Sequence, residues 1–258
     1  MASAPGAVLN QEAIETKSVT FTADDGTAFE GYLARPKRPG TYPTVIVNHG
    51  VYGLNDHYMD LARRFANAGF IALSPNIYSR VGNPDLADQQ ATFAKAGQLT
   101  DEQVTKDLDA AARFLAKQEG ANGKLGVIGF SAGGRFTLIH ACKSDLVNAA
   151  VDCWGGFLNR ANPQAETTPG RPQRVLDMIP NLKAPVLAIF GADDPSPTPA
   201  EAEELRGRLQ QAGKQGVIKV FEGAGHSFFN DGDPGAYREK QAHEMWELVI
   251  GFFRDNLS

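Results

Sequence analysis

The sequence predicts an α/β fold: a mostly parallel central sheet opened by an antiparallel N-terminal hairpin, with helices on both faces and no large cap domain. Three observations carry this. Short apolar runs at residues 44–48, 70–74, 124–130, 149–153, 186–190 and 217–221 are continuous rather than alternating, as in strands covered on both faces. Stretches with helical apolar spacing stand between them, the sequence form of parallel strands joined by crossover helices. Ahead of both, residues 17–23 and 27–34 carry β-branched and aromatic residues in partial alternation around Asp24-Asp25-Gly26, a hairpin signal.

Taken in order, residues 1–16 read as an N-terminal extension, followed by the hairpin and a Pro/Gly-rich break at 36–43. Strand 44–48 leads to a helix over 57–68 and strand 70–74. Residues 81–100 are less regular and read either as a short helix flanking the mouth of a site or as a connector. Thr100 and Gln103 form a capping-box pattern that starts a helix over 101–118. Strand 124–130 enters a helix over 132–142, strand 149–153 follows, and residues 162–178, with three prolines, read as a surface loop. Strand 186–190, helix 199–212, strand 217–221 and helix 234–256 complete the chain. In the last helix, Tyr237, Ala242, Met245, Trp246, Val249, Ile250 and Phe253 trace an apolar stripe that reads as core packing.

At 258 residues and 42% hydrophobic, the chain is long enough for one large core, so residues 1–258 read as a single domain. A net charge of −5 without any Lys/Arg block argues against nucleic acid as a partner. No apolar run reaches the roughly 18 residues that span a bilayer, so no membrane partner is expected. The start lacks the basic-then-apolar pattern of a signal peptide; the compartment is cytoplasmic by default, and secreted or periplasmic if a leader has been removed. Cys142 and Cys153, at a helix end and inside a buried strand, read as free thiols.

The chemistry centres on Gly129-Phe130-Ser131-Ala132-Gly133, between an apolar strand and a helix. Serine on such a sharp turn is a nucleophile elbow: small neighbours let strand and helix approach while the central residue takes a strained φ > 0. A serine hydroxyl needs a histidine base, and the base an orienting carboxylate. Strand 217–221 runs into Glu222-Gly223-Ala224-Gly225-His226, which makes His226 the base; His57, His140 and His243 lie in helical stretches. Strand 186–190 runs into Gly191-Ala192-Asp193-Asp194, where the two aspartates compete and Asp194 is favoured. The oxyanion donors expected are the N–H groups of Ala132, just after the nucleophile, and Val51, in the loop Asn48-His49-Gly50-Val51-Tyr52-Gly53. His49 itself reads as a hydrogen-bonding stabiliser of that loop.

With these residues the chain closely resembles the dienelactone hydrolase family of α/β hydrolases, over nearly its whole length. The resemblance is carried by Gly50-Val51-Tyr52-Gly53-Leu54-Asn55, Ser74-Pro75-Asn76-Ile77-Tyr78-Ser79-Arg80, the elbow, Asp194, and Gly223-Ala224-Gly225-His226-Ser227-Phe228. It implies a capless α/β-hydrolase fold that hydrolyses lactones or other small carboxylic esters through an acyl-enzyme, without metal or organic cofactor. It also supports Asp194 over Asp193. Three departures stand out. Serine replaces the family's usual cysteine at the elbow; Gly50 stands where the lactonases have a glutamate that interacts with the thiol; and of two arginines that grip the substrate carboxylate, Arg80 matches the first while Asn230 occupies the position of the second.

The expectation is thus a serine hydrolase with Ser131, Asp194 and His226 as its triad and a small ester or lactone as its partner, working as a monomer or homodimer. Its rate should fall in acid as His226 protonates. Arg80, Tyr52, Tyr78, Trp154, Phe228 and Phe229 are the candidates for binding substrate. A peptidase or thioesterase would use the same machinery, and a non-catalytic ligand-binding protein of the same fold is the remaining alternative. A dehalogenase would need a carboxylate at the elbow.

Overall fold

The computed structural model describes residues 3–156, 158 and 167–258. Eight strands form one sheet: β1 (Ile14–Thr22), β2 (Ala28–Pro36), β3 (Tyr42–Asn48), β4 (Ile71–Pro75), β5 (Ala121–Phe130), β6 (Ala149–Cys153), β7 (Val186–Gly191) and β8 (Gly216–Phe221). Their spatial order is β1-β2-β4-β3-β5-β6-β7-β8. β1 and β2 pair antiparallel and β2 joins β4 antiparallel; from β4 to β8 every pairing is parallel. The chain enters the parallel part at β3, steps to β4 on one side, then crosses to β5 on the other. Such a reversal leaves a crevice at the strand carboxyl ends where α/β proteins bind ligands.

Helices cover both faces of the central strands, which is why β3, β4, β6 and β7 are buried along most of their length. On one face α1 (Asp56–Asn67) and the C-terminal α7 (Glu239–Leu257) pack Leu61, Phe65, Trp246 and Phe253 against Val45, Val47, Ile128 and Val151. On the other, α3 (Asp101–Ala116), α4 (Ala132–Lys143) and α6 (Pro199–Gln211) pack Leu108, Leu138 and Leu205 against Ile46, Leu73, Val127 and Val186. Between α1 and α3 lies a short helix, α2 (Gln89–Gly97), and between β6 and β7 a single turn, α5 (Val175–Met178).

Several boundaries differ from the sequence reading for local reasons. β1 begins at Ile14, inside the expected extension, because it pairs with β2 as far as Pro36. The ambiguous residues 81–100 contain α2, capped by Asp88, whose side chain accepts the Ala91 N–H. Thr100 caps α3 through the Gln103 N–H, but the Gln103 amide donates to Asp107, so only half of the expected box forms. Of the expected surface loop, residues 162–166 lie outside the described residues; further on, α5 buries Val175, Leu176 and Met178. The C-terminal helix starts at Glu239 rather than 234, since Asp233 accepts the Gly235 N–H in a turn of its own. Cys142 and Cys153 are buried and unbridged. No helix among the described residues is long and apolar enough to cross a membrane.

Candidate active site

Three strand ends build the site. β5 turns into α4 at Ser131, and the turn is possible only because its neighbours lack side chains. A Cβ on Gly129 would lie 2.1 Å from the Gly133 carbonyl oxygen, and one on Gly133 would lie 2.4 Å from that of Asn48. Ser131 adopts φ 55° and ψ −118°, a conformation that costs a non-glycine residue about 1–3 kcal/mol. Its N–H donates to Cys153 O at 2.9 Å and its carbonyl accepts the Arg135 N–H at 3.1 Å, so β6 and α4 together hold it. Among the described residues, Ser131, Trp154 and Ser227 are the non-glycine residues with positive φ, and all three flank this site.

β7 ends at Gly191, where a Cβ would meet the Ala224 carbonyl oxygen at 2.3 Å. That close approach brings the loop after β7 against the loop after β8. Asp194 Oδ2 lies 2.7 Å from His226 Nδ1, and Asp194 Oδ1 accepts the Ser196 N–H at 2.9 Å. With Nδ1–H donating to the carboxylate, Nε2 is left to accept, and it lies 3.1 Å from Ser131 Oγ. Asp194 is buried, whereas Asp193 is exposed and holds the loop by donating its N–H to Ala224 O.

The loop after β3 faces the elbow. His49 Nε2 accepts the Ile77 N–H at 3.1 Å, so its Nδ1 carries the proton and donates to Gly50 O at 2.8 Å. Burial pushes this imidazole down to about 4, which keeps it neutral at ordinary pH. In a trans peptide the N–H points opposite the C=O, so fixing Gly50 O turns the Val51 N–H the other way. The Tyr78 hydroxyl donates to Val51 O at 2.8 Å and secures the next peptide. Neither Val51 nor Ala132 makes a main-chain N–H bond among the described residues. Ala132 is the first residue of α4, at the positive end of the helix dipole.

Ser131, His226, Val51 and Ala132 line a cavity of about 460 Å³ together with Tyr52, Tyr58, Phe93, Ala96, Phe136, Arg135 and Arg171. Arg135 is spent in a buried bidentate pair with Asp101, at 2.6 and 3.0 Å. Arg171 is held differently. Its Nη2 donates to Ala96 O at 2.6 Å and its Nε to Leu99 O at 3.4 Å, and no carboxylate among the described residues pairs with it.

The chain matches the dienelactone hydrolase family over residues 29–257. It belongs to that family. It is 31% identical over 253 residues to the Salmonella typhimurium protein named "Putative carboxymethylenebutenolidase", covering 97% of this chain and 91% of that one. It is 32% identical over 237 residues to a Bradyrhizobium protein named "Probable 2-oxo-3-(5-oxofuran-2-ylidene)propanoate lactonase", covering 90% of this chain and 92% of its relative. Among solved structures, the "Putative Dienelactone Hydrolase" of Klebsiella pneumoniae superposes with a TM-score of 0.87 at 31% identity, covering 94% of this chain and 99% of the other. The chain is accordingly a hydrolase with the α/β-hydrolase fold.

In this dienelactone hydrolase homologue the residues expected to bind substrate divide sharply. Tyr52 lines the cavity and is half-exposed at its mouth. Tyr78, Trp154, Phe228 and Phe229 are buried; Trp154 packs on Phe228 at 4.9 Å and presents an edge to His226 at 6.3 Å, supporting the histidine rather than forming the cavity wall. Arg80 is the main correction. It pairs with Asp25 and Asp107, each at 2.7 Å, and stacks over Phe29, away from the cavity lining. Two carboxylates already satisfy its guanidinium, so it fastens the hairpin turn to α3. Arg171 carries no signal in sequence, because it sits in an aperiodic Pro-rich stretch, and Tyr58 reads as an ordinary face of α1.

Proposed function

We propose that this hydrolase cleaves small carboxylic esters or lactones through an acyl-enzyme on Ser131. The observation that carries the reading is the continuous hydrogen-bond chain from Asp194 through His226 to the Ser131 hydroxyl, at the wall of a cavity also lined by Val51 and Ala132, whose amides have no main-chain acceptor among the described residues. Ser131 Oγ attacks the carbonyl carbon while its proton passes to His226 Nε2, and the carbonyl electron pair becomes an oxyanion. Val51 and Ala132 N–H groups receive that charge; such donors are worth about 10²–10³ in rate each. Collapse of the intermediate expels the alcohol oxygen, which takes the proton from His226. Water then repeats the cycle and frees the acid, with Asp194 keeping Nδ1 protonated throughout.

Lactones are supported by the names of the relatives. An acidic group on the substrate is favoured by Arg171, a cation in an otherwise largely apolar cavity without a carboxylate partner among the described residues. The test is hydrolysis of p-nitrophenyl acetate beside a γ-lactone, a short thioester and a p-nitroanilide. The ester and lactone should turn over fastest, and Ser131→Ala should lose at least about a thousandfold in rate with its melting temperature intact. A Ser131→Ala protein that kept the parent rate would overturn the acyl-enzyme; a preference for the anilide or the thioester would move the substrate class.

A further inference from the structure

Three tyrosines approach the loop after β3, and their hydroxyls are used differently. Tyr78 spends its hydroxyl on Val51 O, and Tyr52 points into the open mouth of the cavity with about half of its surface exposed (49%). Tyr58, from the first turn of α1, lines the same cavity; its phenol oxygen lies against the Gly50 N–H, while its own O–H meets no acceptor among the described residues. Its ring is fixed on three sides, by His57 at 5.1 Å, Phe130 at 5.9 Å and His49 at 6.1 Å between centroids. Asn55 caps the helix through the Tyr58 N–H, which fixes where the side chain leaves the backbone.

The place where that hydroxyl comes to rest is informative. A Cβ built on Gly50 would be 2.8 Å from Tyr58 Oη and 3.7 Å from Ser131 Cβ. The phenol oxygen therefore fills the volume that any side chain at position 50 would need, beside the elbow and next to the residue whose N–H is the expected oxyanion donor. Gly50 and Tyr58 are complementary: the absence of one side chain admits the other. Burial pushes the phenol up to about 12, so the group is a hydrogen-bond donor across the whole working range and does not itself become an anion.

We propose that Tyr58 is a further catalytic residue, whose hydroxyl donates a hydrogen bond to the oxyanion of the tetrahedral intermediate beside the Val51 and Ala132 amides. The proposal rests on the acyl-enzyme reading above and deepens it. The phenol keeps its proton; as the carbonyl carbon becomes tetrahedral, its oxygen gains charge and the unspent O–H meets it. In the ground state the neutral carbonyl demands less of a third donor, so the contact acts on turnover more than on substrate affinity.

Tyr58→Phe tests this, since it removes one oxygen and keeps the ring. We expect kcat for p-nitrophenyl acetate to fall about tenfold to a hundredfold with KM within twofold, at or below the low end of the loss of about 10²–10³ that follows removal of one oxyanion donor, since the two amides remain. Affinity for benzeneboronic acid, which forms a tetrahedral adduct on the serine, should weaken by a similar factor, while the melting temperature and far-ultraviolet spectrum stay those of the parent. A kcat within twofold of the parent overturns the proposal, as does a fall in kcat that leaves boronate affinity unchanged. Ser131→Ala in the same assay separates the two levels. If it is inactive while Tyr58→Phe is fully active, only the role of Tyr58 fails; if Ser131→Ala is active, the acyl-enzyme reading fails and the role of Tyr58 fails with it.

Discussion

A guanidinium beside an apolar cavity is electrostatically expensive unless something negative meets it. Arg171 meets main-chain carbonyl oxygens and the face of the Phe136 ring but no carboxylate among the described residues, and burial together with the nearby Arg135 charge lowers its pKa. A substrate carboxylate would relieve that strain by a charge-assisted pair, an interaction of about 1.5–3 kcal/mol. Arg171→Gln should therefore raise KM about tenfold or more for the p-nitrophenyl hemiester of glutarate while leaving the valerate ester unchanged. Equal effects on the two esters would remove Arg171 from substrate recognition. Arg80→Ala should instead affect both esters alike and lower the melting temperature by a few degrees, because its partners belong to the protein. At this scale Ser131, Asp194 and His226 were legible because each follows a short apolar strand, where α/β folds build sites. Arg171 was not, because its position depends on how an irregular segment packs against α2, and no periodicity encodes that.

Among the elements, the strand-turn-helix at β5 and α4 holds a non-glycine residue at positive φ and shows how local rules serve the site. Glycine at position 131 would adopt φ 55° without a clash, so Ser131→Gly should be inactive yet more stable by about 1 kcal/mol, or about 2–4 °C for a chain of this size. A melting temperature below the parent would contradict the strain. The same turn was readable because glycines recur on both sides of the serine, and β3 to β7 were readable because burial on both faces leaves few polar positions. Helix ends were less so. Gln103 completes a capping pattern in sequence, but Asp107 one turn later is a competing acceptor for its amide. α5 is a single turn in a Pro-rich stretch whose burial is decided by α4 and the segment after it, not by its own composition.

For the molecule as a whole, buried titratable groups set opposing pH dependences. Burial pushes His49 and His57 down to about 4 from an ordinary value of 6.5. Between those values the unfolded chain holds the extra protons, so stability falls as pH drops through that window. Burial pushes Asp152 up to about 7 from an ordinary value of 3.8, and one of its oxygens has no hydrogen-bond partner among the described residues. The folded state then retains a proton that the unfolded chain has lost, so stability falls as pH rises from about 4 to 7, and the two trends offset. Asp152→Asn preserves an acceptor for the Gly155 N–H and removes the second trend. Its melting temperature should exceed the parent's at pH 8 and converge on it near pH 4; a variant no more stable at pH 8 would refute this. The spacing of the site carries one more consequence. Ser131 and His226 are 95 residues apart in the chain, and the indole of Trp154 stands at the edge of that imidazole. Turnover therefore marks the docking of the C-terminal third onto the rest, and after dilution from urea the return of ester cleavage should keep step with tryptophan emission and never precede it.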